Sequence, residues 1–220
     1  MRRTMAHARW ELGILLRNGE QVLLTLLIPL GLLLLMRSFA PVVATSVIAA
    51  MFTSIAIGTG FERRSGSLRF LGVTPLRRSE LLLGKLIASL IVLLISLILT
   101  CGLGALLHCL PTWSAGQWWF AALLVILGST AGASWALVLA GNVRAEAVLA
   151  IANGIFIVLI IAALALPGSL DAPWSNASVA IPSVALAHGL DDPSAGPAVV
   201  LIVWACAGIG FASRRFSWEP

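Results

Sequence analysis

Six apolar runs separated by short polar stretches set the pattern of this 220-residue chain. They cover about residues 21–36, 42–60, 83–107, 118–140, 147–166 and 197–212. A helix rises ~1.5 Å per residue, so ~20 apolar residues cross a ~30 Å hydrocarbon core. The first run reaches only roughly 24 Å on that rise, so it starts a turn earlier or lies where the membrane thins. Pro29 inside it removes a backbone donor and should weaken or kink the helix. The second run carries Thr45, Ser46, Thr53, Ser54 and Thr59, with Gly58 and Gly60 near its end. Small and hydroxyl residues favour close helix contact, as do Gly128 and Gly132 in the fourth run. The pattern predicts an all-α polytopic membrane protein with six transmembrane helices. It forms one domain over residues 1–220, because no intervening stretch is long enough for an independent soluble fold.

Three polar segments break this rhythm. Residues 4–18 place Met5, Ala8, Leu12, Leu15 and Leu16 at helical spacing, with His7, Glu11 and Asn18 on another face. Too polar to cross, this segment suits a helix lying in the headgroup region. Residues 167–196 contain Asp171, Asp191 and Asp192 but no lysine or arginine, and Pro182 divides their half-apolar part. Short external helices that dip into the membrane without crossing are expected there. Residues 61–85, FERRSGSLRFLGVTPLRRSELLLGK, combine clustered charge with Phe61, Leu68, Phe70, Leu71, Val73 and Leu76. A mere connector needs only solubility; an apolar ridge among charges suggests docking. Thr74-Pro75 reads as an N-cap with proline at the first helical position, restarting a helix that leads into the third run.

Charge gives the orientation. Thirteen of the fourteen basic residues fall on one side of the six-span arrangement and only Arg37 on the other. The positive-inside rule makes the first side cytoplasmic, with both termini there. The net charge of +5 and pI near 10.5 therefore reflect topology rather than nucleic-acid binding. Lys85 at the inner end of the third run is expected to snorkel to the headgroups. Trp113, Trp118 and Trp119 mark an outer interfacial belt. An N-terminal signal peptide is loosely imitated by Arg2-Arg3, the first apolar run and Ser38-Phe39-Ala40. Glu11 and Glu20 in the long leading segment, and the second run directly behind, argue against cleavage.

Catalytic chemistry is missing. No G-x-x-x-x-G-K-[ST], H-E-x-x-H or G-x-S-x-G occurs, and Cys101, Cys109 and Cys206 have no metal-ligand spacing. Apart from Lys85 and Arg37 at run ends, the six runs hold no ionisable Asp, Glu, Lys or Arg for a proton or ion relay. Asn153 is the most notable polar residue within them, a candidate for an interhelical hydrogen bond or, less favoured, a substrate contact. His108 and His188 both fall in external loops, without a spacing that marks a metal or haem site. A membrane protein with one elaborate docking segment and no energy source of its own draws energy from a partner.

Across Glu62-Arg63, Gly66-Ser67-Leu68, Thr74-Pro75, Glu80-Leu81 and Gly84-Lys85 the chain resembles the permease subunits of ABC-2 type (type V) ABC exporters, drug and antibiotic exporters in particular. The resemblance implies that Phe61, Glu62, Arg63, Arg64, Gly66, Leu68, Arg69, Phe70 and Leu71 belong to a coupling helix held by a separate ATPase. It implies two ATPase subunits carrying ATP and magnesium, a second permease as homodimer or heterodimer partner, and no cofactor or metal in this chain. The expected function is export of an amphiphilic or hydrophobic compound from a bacterial cytoplasm across the inner membrane. Arg69 stands where the family often has glutamate, which points to altered charge pairing with the ATPase or to a heterodimer partner supplying the acid. The alternatives are a haem-export permease of similar length, which only the two external histidines favour, and a non-transporting scaffold that recruits a cytoplasmic protein.

Overall fold

The computed structural model describes residues 2–65, 78–166 and 178–215, and it is helical throughout its ordered elements. Helix α1 (Arg2–Arg17) precedes a first span, α2 (Gly19–Met36). The second span is α3 (Phe39–Ser65) and the third is α4 (Arg78–Leu106). Next come α5 (Ala115–Asn142), α6 (Ala145–Ala165), the short α7 (Pro182–Asp191) and the last span, α8 (Ala195–Arg215). The expected spans agree to within a few residues. The first does start earlier, at Gly19, where the Asn18 side chain accepts from the Glu20 N–H at 3.1 Å.

Pro29 acts as expected, with its cause visible. It cannot donate to the carbonyl of Thr25, and the turn Leu23–Leu27 ahead of it widens so that the Ile28 N–H reaches back to Leu23. The freed Thr25 carbonyl is not left bare in lipid: Ser96 of α4 donates to it at 2.8 Å. Ser96 Oγ also lies 3.2 Å from Ser46 Oγ on α3, so one hydroxyl joins three spans.

The second span is buried from Phe39 to Ile57, packed against α2, α4, α5, α6 and α7. Its alanines and hydroxyl residues admit this crowding, and Thr45 and Ser46 return their hydroxyls to the carbonyls of Pro41 and Val42. Helix α7 is too short to cross, yet Val184, Ala185, Leu186, Ala187 and Leu190 are buried against α3, α5, α6 and α8. Residues 167–177, the rest of the segment expected to be external, lie outside the described residues, as does the Thr74-Pro75 start expected for α4.

Helix α8 leans on α5 through Trp135, which donates from Nε1 to the Trp204 carbonyl at 3.0 Å, and Trp204 donates in turn to Ala180. Gly189 lets α7 meet its neighbours closely, since a Cβ there would fall 2.8 Å from Leu124 Cδ1 and 2.8 Å from Pro197 Cβ. Gly189→Leu should therefore lower stability by about 1–3 kcal/mol through overpacking. Gly102→Ala, with nothing within 4 Å, should not. Thermal unfolding of the detergent-purified chain distinguishes the two.

Candidate functional site

Helix α3 runs unbroken to Ser65, so residues 61–65 form its last turn rather than the start of a separate element. Successive residues on a helix point ~100° apart, and Glu62 and Arg63 use that divergence. Glu62 turns toward α4 and α1; Arg63 turns toward the end of α5.

On the first side stands Lys85. Its Nζ lies 2.7 Å from Glu62 Oε1 and also pairs with Glu11 Oε1 of α1. The lysine side chain is 3% exposed, against 5% for Glu11 and 12% for Glu62. Snorkelling of Lys85 to the headgroups is thus corrected: two carboxylates draw the ammonium inward, where a low dielectric strengthens both pairs. Burial of one cation with two anions holds three helices at one point. It also carries the large desolvation cost of buried charge, so each member depends on the others.

Close approach of α1 is what brings Glu11 into range. Gly84 permits it, because a Cβ there would lie 2.5 Å from His7 Cδ2. His7, Ala8, Glu11 and Leu15 form the buried face of α1, with Leu15 against Ala88 and Val92. The buried face thus mixes Ala8 and Leu15 of the expected apolar stripe with His7 and Glu11 of the other face. His7 and Glu11 are inside, whereas Met5 and Leu16 are 49% and 44% exposed. The spacing of His7 and Glu11 by four residues was the available signal, but nothing in it named Lys85 as partner.

On the second side, Arg63 Nη1 donates to the carbonyl of Val143 at 3.1 Å and to that of Ala140. Both carbonyls belong to the end of α5, where the last groups of a helix lack intrahelical donors and its dipole favours a cation. Arg63 therefore caps α5. The last turn of α3 is fastened to α1, α4 and α5 together, while Phe61 is 43% exposed and Arg64 faces outward. Gly66, Leu68, Arg69, Phe70 and Leu71 lie outside the described residues.

The remaining candidates sit elsewhere. Trp118 stacks edge-on against Trp113 with centroids 4.8 Å apart, while Trp119 is 79% exposed. Asn153 of α6 donates to Glu20 Oε1 of α2 at 3.2 Å, an interhelical hydrogen bond. Among the described residues no group of three His, Cys, Asp or Glu side chains is arranged to hold a metal.

With six apolar spans and this fastened turn in view, comparison with known families is decisive: residues 23–212 match the model of the ABC-2 family transporter proteins. The chain belongs to that family. It is a multi-pass membrane permease of the ABC transporter type. No curated protein matched the sequence. Within the permease, the family-like pairs Glu62-Arg63 and Gly84-Lys85 acquire physical roles: anchor and cap for the first, clearance and counter-ion for the second.

Lys85→Met should leave two buried carboxylates facing each other and destabilise the permease by about 3–5 kcal/mol. Adding Glu11→Leu and Glu62→Leu should restore most of that loss, read as midpoint shifts in detergent unfolding. Burial, chiefly, holds the His7 imidazole below its ordinary value; Glu11 opposes this and Lys85 adds to it. The unfolded chain then binds more protons in the window just below pH ~6.5, so stability falls as pH drops through it. His7→Phe should flatten that part of the stability–pH curve, measured between about pH 7.5 and about 5.5.

Proposed function

We propose that this permease is the membrane half of an ATP-driven exporter, coupled to a separate ATPase through residues 61–71. The single observation that supports it most is the anchoring of the last turn of α3 on both flanks. A segment pushed by a nucleotide-driven partner transmits motion only if its base is rigidly joined to the spans. Glu62 and Arg63 supply that joint, Phe61 is exposed at its surface, and the apolar residues Leu68, Phe70 and Leu71 follow directly in sequence.

In this reading ATP and magnesium are bound by the partner, two ATPases serve two permeases, and the 61–85 end faces the cytoplasm of a bacterial cell. The exported compound is amphiphilic or hydrophobic, in keeping with spans whose walls are leucine, isoleucine and alanine. The hydrogen-bonded Asn153–Glu20 pair is the first place to look for a polar contact with it.

The test is co-purification of the tagged permease expressed with its chromosomal neighbours, followed by an assay of ATP hydrolysis. An ATPase subunit should be retained by the native chain and reduced at least tenfold by Phe61→Asp/Leu71→Asp. Glu62→Gln should keep the ATPase bound yet abolish stimulation of hydrolysis by transported compounds, because it loosens the joint without altering the exposed surface. A folded permease that retains no ATPase would refute the coupling role and favour a scaffold.

A further inference from the structure

Spans α4 and α5 follow each other in the chain yet are held apart by a groove of about 1030 Å³. Leu86, Leu90 and Leu97 line one wall; Ala122, Thr130 and Ala133 line the other. Met51 of the buried second span forms part of the floor. Leu90, Leu94 and Ile126 are 44%, 50% and 61% exposed, so no other part of the described chain covers the open side.

Shape limits the occupant. On α4 the lining extends from Leu82 to Cys101, roughly 28 Å at ~1.5 Å per residue, against a ~30 Å hydrocarbon core. The volume is at the top of the range for drug-sized ligands, about 300–1,000 Å³, but it is drawn out across the whole membrane. A compact molecule would fill a fraction of it. The acyl chains of a lipid, which reach from one surface to about the midplane, fit lengthwise along the half of the groove nearest their headgroup.

The two ends differ in chemistry. At one, Phe39, Trp113 and Trp118 close the groove with bulky rings, Phe39 and Trp113 having centroids 5.9 Å apart. At the other, Ser213 of α8 lines the mouth and the next residue, Arg214, is exposed. An anionic headgroup is favoured beside Arg214, with its chains running toward the tryptophans. We propose that the groove between α4 and α5 is a binding site for an anionic phospholipid of the leaflet at the Arg214 end. This inference needs the permease to be inserted in a bilayer but not to be coupled to an ATPase.

The experiment reconstitutes the full-length permease in nanodiscs of phosphatidylcholine. A trace of phosphatidylglycerol or phosphatidylcholine carrying a photoreactive acyl chain is added, and the adducts are mapped by peptide mass spectrometry. Phosphatidylglycerol adducts should concentrate on the α4 and α5 walls and exceed those of labelled phosphatidylcholine. Arg214→Gln should reduce that headgroup preference by about fivefold, the loss of one juxtamembrane cation. Ala122→Phe/Thr130→Phe, both at exposed positions, should cut the α4 adducts severalfold. Adducts spread evenly over all lipid-facing spans, or groove adducts indifferent to headgroup charge, overturn the proposal. So would absence of groove adducts together with chain-to-chain crosslinking through Thr130→Cys, which would make a second copy the occupant.

Discussion

Lys85 carries its charge into the protein between Glu11 and Glu62, and the geometry of one end of the bundle follows from that contact. A buried ammonium without a counter-ion is untenable, and two buried carboxylates without a cation are equally so. The three residues come from α1, α3 and α4, so satisfying the charges fixes where these helices meet. Gly84 supplies the clearance, and Arg63 extends the same fixture to α5 by taking up its terminal carbonyls. Displacement of the last turn of α3 is therefore shared with three other helices rather than absorbed locally.

Farther into the membrane the same requirement is met with neutral groups. Lipid offers no hydrogen bonds, so the carbonyl that Pro29 deprives of its donor is served by Ser96 from another span. Thr45 and Ser46 of α3 return their hydroxyls to its own backbone and leave a smooth surface on which neighbours pack closely. This gives the bundle a central helix buried through its apolar part, although lipid supplies no hydrophobic drive between spans. Where packing is not completed, between the leucines of α4 and the small residues of α5, the groove remains.

Polar and apolar features are thus segregated along the permease. The charged fixture lies where α3 emerges and leads directly into the segment at 66–77, while the groove follows the spans. Force applied to the first can reorient α4, which lines the second, because Lys85 and the leucine wall belong to one continuous helix. Family membership describes the permease as a whole; the ion cluster describes how one end of it is held together.

Much was legible in the amino-acid order because bilayer thickness imposes a length on every apolar run. The six spans, the helix before them, the disturbance at Pro29 and the close-packed character of the second span all follow from hydropathy, proline chemistry and residue size. The Glu62-Arg63 and Gly84-Lys85 pairs stood out only through their resemblance to the permeases of ABC-2 exporters. Their directions were not legible. Lys85 at a span end has the stem length to reach headgroups, and only the presence of Glu11 and Glu62 within reach turns it inward. His7 and Glu11 read as the wet face of α1 until α4 is seen against them. The partner of Asn153 and the gap between α4 and α5 were likewise invisible, since both depend on residues distant in sequence. Hydrophobicity is a property of a segment and can be read along the chain. Pairing of charges and completeness of packing are properties of two segments at once, and the tertiary structure decided them.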